Sequence, residues 1–184
     1  MTVGMISRRY AKALFEYARE KKVEKEVDEE MKKLANQFAS EPRLRAAMNN
    51  PIVTTKDKLN LLRSSIGGKC SPAFERFIQL VLKHKREGFL QWMALSYDEL
   101  YSIANHINQA RLITAAPASK EAIDKLKTVL QKIKPGTQVI TTEVNPNIDG
   151  GFILFVDTYR LDASIASQLK RIKDQFIQSN NRIG

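Results

Sequence analysis

The first hundred residues carry apolar side chains at intervals of three and four, and this spacing is the strongest constraint on the fold. Such spacing places side chains on one face of a helix. Six segments with this pattern follow one another, separated by turn-forming proline, glycine and asparagine residues. Helices joined by short links can bury their apolar faces only against one another, which predicts an N-terminal six-helix bundle.

The ends of these helices are marked by capping residues. Thr54 or Thr55 is expected to cap the fourth helix, and Ser71 precedes a proline at the first position of the fifth. Gly67-Gly68 is expected to end the fourth helix. The sixth helix is predicted to carry apolar residues from Phe89 as far as Ile107.

The second part of the chain changes to a strand-like pattern. Residues 109–116 predict a strand, Ser119 caps a helix, and residues 137–144 are rich in β-branched side chains. The run "FILFV" at 152–156 predicts a strand buried on both faces, and a last helix follows. The fold class is therefore α+β, with a bundle at 1–106 and a small α/β domain of order β-α-β-β-α at 107–184. A core this small is marginal alone, which favours a partner.

Composition narrows the function classes without selecting one. The chain of 184 residues has 43% hydrophobic and 27% charged residues, as expected for a folded protein. No apolar run approaches the ~20 residues that span a bilayer, and no secretory signal is recognisable at the start. Cys70 is the single cysteine, which fits a reducing compartment.

The net charge of +10 allows nucleic acid, an anionic membrane surface or an acidic protein as partner. Residues 1–105 carry 19 basic and 13 acidic side chains, and residues 106–184 carry 11 and 7. The excess is thus +6 and +4, spread along the chain, whereas a dedicated nucleic-acid binder usually concentrates it. A basic protein that associates with nucleic acid remains the alternative.

Gly150-Gly151 is the most conspicuous local feature. With Asp149, Asp157, Asp162 and Ser164 nearby, the pair could belong to a phosphate loop of an enzyme. Phosphate loops of the Walker type, however, have spaced glycines, end in Lys-Ser or Lys-Thr and open a helix, while this pair leads into a strand. We therefore predict structural roles. Gly150 and Gly151 are expected to provide positive φ or a bulge at the start of a strand and to allow close approach of a neighbouring backbone, and Asp162 is expected to cap the last helix.

Residues with catalytic chemistry are sparse. His84 and His106 are the only histidines, and neither has a neighbourhood typical of metal ligands. Cys70 lies beside Lys69 and a helix start, which could lower its pKa, but no base accompanies it. We expect no catalytic residues, metal, cofactor or small-molecule substrate.

The first helix has a second possible use. Alanines at 11, 13 and 18 are expected to flatten one side of it, and the tyrosines at 10 and 17 with their small neighbours leave room for a groove that receives a partner helix.

Several segments, in this order and at these distances, resemble one family. They are "RRYAKALFEYA" at 8–18, "PRLRAAMNNPIVTTKDKLNLL" at 42–62, "FIQLVLKHKR" at 77–86, "ARLITAAP" at 110–117 and "NPNIDGGFILFVDTYRLDASI" at 145–165. The sequence is similar to the delta subunits of rotary ATP synthases, bacterial relatives of the mitochondrial oligomycin-sensitivity-conferring protein. Two departures are the unusually apolar strand after the glycines and the short chain after the last helix.

The resemblance implies a non-catalytic stator subunit at the cytoplasmic face of the bacterial inner membrane. It would link the catalytic head to the peripheral stalk. Its first domain would receive the N-terminal helix of an alpha subunit between helices one and five, and its second would meet the C-terminal end of the b subunits. The residues expected to bind the alpha helix, without a division into groove and core, are Tyr10, Ala13, Leu14, Tyr17, Phe77 and Leu80.

Overall fold

The computed structural model describes residues 3–148, 150–156 and 159–180, with only the backbone at 172 and from 174 onwards. The chain divides into two compact units, Met1–Ala104 and Asn105–Gly184. The predicted boundary, between residues 106 and 107, lies two residues further along. The first unit contains the helices α1 (Val3–Glu20), α2 (Glu24–Ser40), α3 (Pro42–Asn49), α4 (Thr55–Ser65), α5 (Pro72–Lys83) and α6 (Leu90–Ala104).

The helix boundaries follow the predicted capping chemistry. Thr54 and Ser71 each accept a hydrogen bond at the side-chain oxygen from the backbone N–H three residues later. Beyond α4, Gly67 and Gly68 both have positive φ, and the N–H of Gly68 donates to the carbonyl of Arg63. These bonds satisfy backbone groups that a helix end leaves unpaired.

The first unit is organised around one apolar core. It contains the largest fully buried side chains, and its inner residues come from all six helices. Phe15 of α1 packs edge-on against Tyr97 of α6, with ring centroids 5.7 Å apart. Ala11 and Ala18 are fully buried in this core while Ala13 is exposed. The expectation that these three alanines flatten one side of α1 is therefore wrong, because seven residues separate 11 from 18 and only that pair shares a helical face.

The second unit is a four-stranded sheet with helices. Its strands stand in the order β2-β1-β3-β4, with β1 parallel to β2 and the other pairs antiparallel. A small core of Ala110, Leu112, Leu130 and Leu154 lies between the sheet and the first helix of the unit. The elements are β1 (Ile107–Thr114), α7 (Lys120–Ile133), β2 (Thr137–Val144), β3 (Phe152–Val156), β4 (Tyr159–Asp162) and α8 (Ile165–Asn180).

The mixed helix-and-strand class is confirmed, but three details of the second unit differ from the prediction. The order is β-α-β-β-β-α, because β4 adds an edge strand whose Tyr159 and Leu161 are 80% and 55% exposed and therefore show no buried alternation. In β3 only Leu154 is buried, so this strand is not buried on both faces. Ile107 belongs to β1 and not to α6, since the helix ends at Ala104.

Candidate functional site

A groove of about 520 Å³ lies in the first unit between α1 and α5. Helix α1 buries one face in the core, and Tyr10, Ala13 and Tyr17 on an adjoining part of its surface line this groove. The groove is lined by Arg9, Tyr10, Ala13, Leu14, Tyr17, Ala73, Arg76, Phe77, Leu80, His84 and Arg86.

The floor of the groove is apolar and rigid. Leu14, Ala73 and Phe77 are 4–5% exposed and belong to the core of the first unit. The ring of Tyr10 stands edge-on to that of Phe77, with centroids 6.5 Å apart and an interplanar angle of 69°. Because these side chains are held by the core, the floor keeps its shape without a ligand.

The open side of the groove consists of small or exposed side chains. Ala13 is exposed on the α1 side and Leu80 is 46% exposed on the α5 side. Tyr10 and Tyr17 are half-buried and stand two helical turns apart, about 10 Å along the α1 axis. An elongated apolar trough of this length fits a side-chain row of a docked helix.

Cationic side chains form the rim. The guanidinium of Arg76 donates a hydrogen bond to the Tyr17 hydroxyl at 2.8 Å, and that of Arg86 lies 5.5 Å from the centre of the Tyr10 ring. Arg9 adds a third guanidinium, and His84 also lines this border. None of the lining residues in the described part of the chain is acidic, so the groove combines an apolar floor with a positive border.

The structure brings all six of the sequence-predicted binding residues to this groove. Leu14 and Phe77 serve both core and groove, a division that spacing alone does not reveal. Sequence reasoning missed Ala73 of the floor and the rim residues Arg9, Arg76, His84 and Arg86. Extending the α5 pattern would have found part of it, because Ala73, Arg76, Leu80 and His84 recur every three or four residues on one helical face.

Gly150 and Gly151 have backbone conformations that favour glycine, with φ of 129° and 77°. A Cβ on Gly151 would fall on the carbonyl oxygen of Ala163 and come within 2.9 Å of the Ser164 Cα. A Cβ on Gly150 would meet only the tip of the Ile165 side chain. The pair therefore allows the start of β3 to pass close to the backbone that leads into α8.

The start of α8 is capped by two residues acting in series. The Ser164 hydroxyl accepts a hydrogen bond from the Ser167 N–H at 3.3 Å, which makes Ser164 the capping residue. Asp162 accepts hydrogen bonds from both the hydroxyl and the N–H of Ser164, at 2.7 and 3.1 Å. The sequence predicts that Asp162 caps α8 itself. In the structure Ser164 is the capping residue, and Asp162 holds this serine in place.

The remaining chemical candidates do not converge. Burial raises the pKa of the Cys70 thiol, reinforced by Glu75 and Glu30, which is opposite to the activation considered from the sequence. Across residues 3–148, 150–156 and 159–180, no group of three or more His, Cys, Asp or Glu side chains could hold a metal ion. Asp149 and Asp157 lie outside the described residues.

Among the helices in the described part of the chain, none is both long and apolar enough to cross a membrane.

Together, the helical unit with its apolar groove and the small sheet unit define a class of two-unit proteins of mixed helix and strand. A family model for the ATP synthase delta (OSCP) subunit matches residues 6–176. The chain belongs to this family. It is accordingly a structural peripheral-stalk subunit of an ATP synthase and not a catalytic one.

Individual relatives agree along the full chain. It is 45% identical over 185 residues to the ATP synthase subunit delta of Bacteroides thetaiotaomicron, covering 100% of both chains. It is 29% identical to that of Symbiobacterium thermophilum, covering 97% of this chain and 96% of the relative.

One solved structure shares the fold. It is a chain from the cryo-EM structure of the Toxoplasma gondii mitochondrial ATP synthase hexamer, with a TM-score of 0.72 and 23% identity. The match covers 96% of this chain and 98% of that one. The arrangement of helices and strands is therefore shared at low sequence identity.

Proposed function

We propose that the groove between α1 and α5 receives the amphipathic N-terminal helix of an ATP synthase alpha subunit. In this role the six-helix bundle is the head-binding module of the stator. The observation that carries the proposal is the apolar trough itself, with a buried floor and an open, elongated mouth.

The form of the trough suits a link that must resist torque. Binding energy in such interfaces concentrates in a few anchors that enter well-packed pockets, while charges at the rim contribute less. Apolar side chains of the incoming helix would lie over Leu14 and Phe77 and between the two tyrosines. The rigid floor reduces the entropy lost on binding, since these groups are already held by the core.

We further propose that the second unit meets the C-terminal end of the b subunits. Its own core is small, and it exposes several large apolar side chains. Ile133 of α7 is 75% exposed and Leu169 of α8 is 61% exposed. A partner bound to the second unit would bury such residues. Through these two contacts the protein would sit at the cytoplasmic face of the bacterial inner membrane, peripheral to it.

The alternative of a basic nucleic-acid-associated protein is not favoured. The positive charges of the groove surround an apolar floor, whereas nucleic-acid sites place cations along a backbone track or beside stacking aromatic rings on an open surface.

Ala13→Trp tests the docking site. Ala13 is exposed, so the larger side chain can be accommodated in the free protein but would fill the trough against an incoming helix. Losing a central anchor typically costs ~2 kcal/mol or more, which is roughly a thirtyfold loss of affinity. Calorimetry of the full chain against a peptide of the alpha N-terminus measures this loss.

Ala46→Trp is the matched control, because Ala46 is an exposed alanine of α3 outside the groove lining. This variant is expected to bind as the wild type does. Undiminished peptide binding by a folded Ala13→Trp protein would place the docking surface elsewhere.

A further inference from the structure

The rim of the groove carries positive charge that the described protein does not neutralise. Arg9, Arg76 and Arg86 form no salt bridge with any described carboxylate. The only contacts described for Arg76 and Arg86 side chains are with tyrosines, through a hydroxyl and a ring face. The rim is therefore ready to accept negative charge from outside.

Nearby carboxylates are already engaged by other cations. Glu16 of α1 pairs with Lys12 at 3.8 Å, and Glu75 of α5 pairs with Arg63. Glu87, the neighbour of Arg86 in sequence, pairs with Lys58 at 2.5 Å. These three acids are thus directed to cations other than the rim arginines.

The rim charges lie at both ends of the groove. The guanidinium of Arg86 lies over the ring of Tyr10, whereas that of Arg76 bonds to Tyr17, two turns further along α1. One end therefore has Arg76, and the other has Arg9 and Arg86. The ends are about two helical turns, or about 10 Å, apart.

We propose that the helix docking in this groove carries acidic side chains beside its apolar row, at least one toward each end. This inference rests on the proposed function and adds the charge pattern of the partner to it. The acid at one end pairs with Arg76, and the acid roughly two turns away pairs with Arg9 or Arg86.

The held arginines are suited to this recognition. A guanidinium presents five N–H donors in a planar fork that matches a carboxylate. Tyr17 and Tyr10 fix the positions of Arg76 and Arg86 before binding, so less side-chain freedom is lost when a carboxylate arrives. The apolar floor between the two charged ends selects a protein helix over a polyanion, because phosphates cannot use it.

The test is calorimetric titration of the full chain with a peptide of the N-terminal helix of the same organism's alpha subunit. A second peptide has its Asp and Glu replaced by Asn and Gln. We expect Arg76→Gln and Arg86→Gln each to weaken binding of the native peptide by about two- to fivefold. The neutralised peptide should bind more weakly to the wild type and respond to neither substitution.

Arg19→Gln serves as control, because Arg19 is an exposed arginine of α1 outside the groove lining. It should leave the affinity unchanged. Raising the salt concentration should weaken the binding of the native peptide more than that of the neutralised peptide, since salt screens exposed charge pairs.

Two failures are distinguishable. If the native peptide binds and Ala13→Trp blocks it, but neither arginine substitution nor neutralisation changes the affinity, the charge pattern is overturned while the docking site stands. A native alpha helix without acids near both ends would overturn the charge pattern as well. If the native peptide does not bind at all, the proposed function itself is overturned.

Discussion

The backbone conformation at Gly151 explains why the fold requires glycine at this position. Its φ of 77° is accessible to glycine at little cost, and the neighbouring backbone at Ala163 and Ser164 leaves no space for a side chain. The glycine pair thus permits the close approach of the turn before β3 to the segment before α8. This explains the glycines without any phosphate chemistry.

Gly151→Val is therefore expected to destabilise the second unit. A β-branched residue at positive φ costs about 1–3 kcal/mol, and the contact with the Ala163 carbonyl adds to it. Hydrogen exchange should show lost protection in residues 105–180 and retained protection in the first unit. Gly4→Val is the control, because no heavy atom lies within 4 Å of a Cβ there. Wild-type protection throughout the mutant would mean that Gly151 has another purpose.

The stability of the start of α8 is expected to depend on pH through the carboxyl group of Asp162. Its pKa is lowered by the hydrogen bond from the Ser164 hydroxyl, and further by the Ser164 N–H. Because the folded pKa lies below the ordinary value of 3.8, the stabilisation is fully present above that value and is lost as the pH falls through the folded pKa.

Asp162→Asn should accordingly be less stable than the wild type at neutral pH. The difference should shrink toward zero in acid, where the wild-type carboxylate is protonated. Thermal melting across the acid range measures it, with Asp124→Asn, an exposed acid of α7, as the comparison. A constant difference at every pH would show that the charge of Asp162 is not what holds Ser164.

Helix α2 is tied to the start of α5 by a buried carboxylate. Glu30 accepts hydrogen bonds from the N–H and the hydroxyl of Ser71, while Ser71 itself caps α5. Burial raises the pKa of Glu30, partly offset by these hydrogen bonds. The hydrogen bonds thus offset part of the cost of burying this charge, and they organise a helix terminus in a different part of the sequence.

Glu30→Ala is expected to destabilise the first unit by about 1–3 kcal/mol, because the buried N–H and hydroxyl of Ser71 lose their acceptor. The neighbouring Glu29 is exposed, so Glu29→Ala should change stability little and serves as control. Denaturant unfolding compares the two. Equal stabilities of both variants would mean that Ser71 finds another acceptor at no cost.

Elements with local determinants could be predicted from the sequence. The caps at Thr54, Ser71 and Ser119 involve bonds to residues three positions away, so their chemistry is visible in a short window. The groove residues of α1 were found for the same reason, since they repeat along one helix.

What the sequence did not reveal depends on contacts between distant segments. β4 gains its hydrogen bonds from β3 and exposes its side chains, so no apolar alternation marks it. Glu30 meets Ser71 across 41 positions, and Arg76 meets Tyr17 across 59. A charged residue can lie at the rim of a groove, in a buried hydrogen bond or in solvent. Contacts between distant segments decide which, and not the residues beside it in the sequence.

For the whole molecule, the net charge of +10 fits a binding subunit better than a nucleic-acid protein. The charge is spread along both parts of the chain, and part of it borders an apolar trough. The chain has two units with separate cores, and in the proposed function each unit holds a different part of the ATP synthase.

The most direct test of this account is binding of the full chain to purified catalytic heads whose alpha subunits have or lack the N-terminal helix. Intact heads should bind the wild-type protein tightly and the Ala13→Trp variant at least roughly thirtyfold more weakly. Heads without the helix should bind both proteins weakly and equally. Tight binding of the wild type to heads that lack the alpha N-terminal helix would contradict the account.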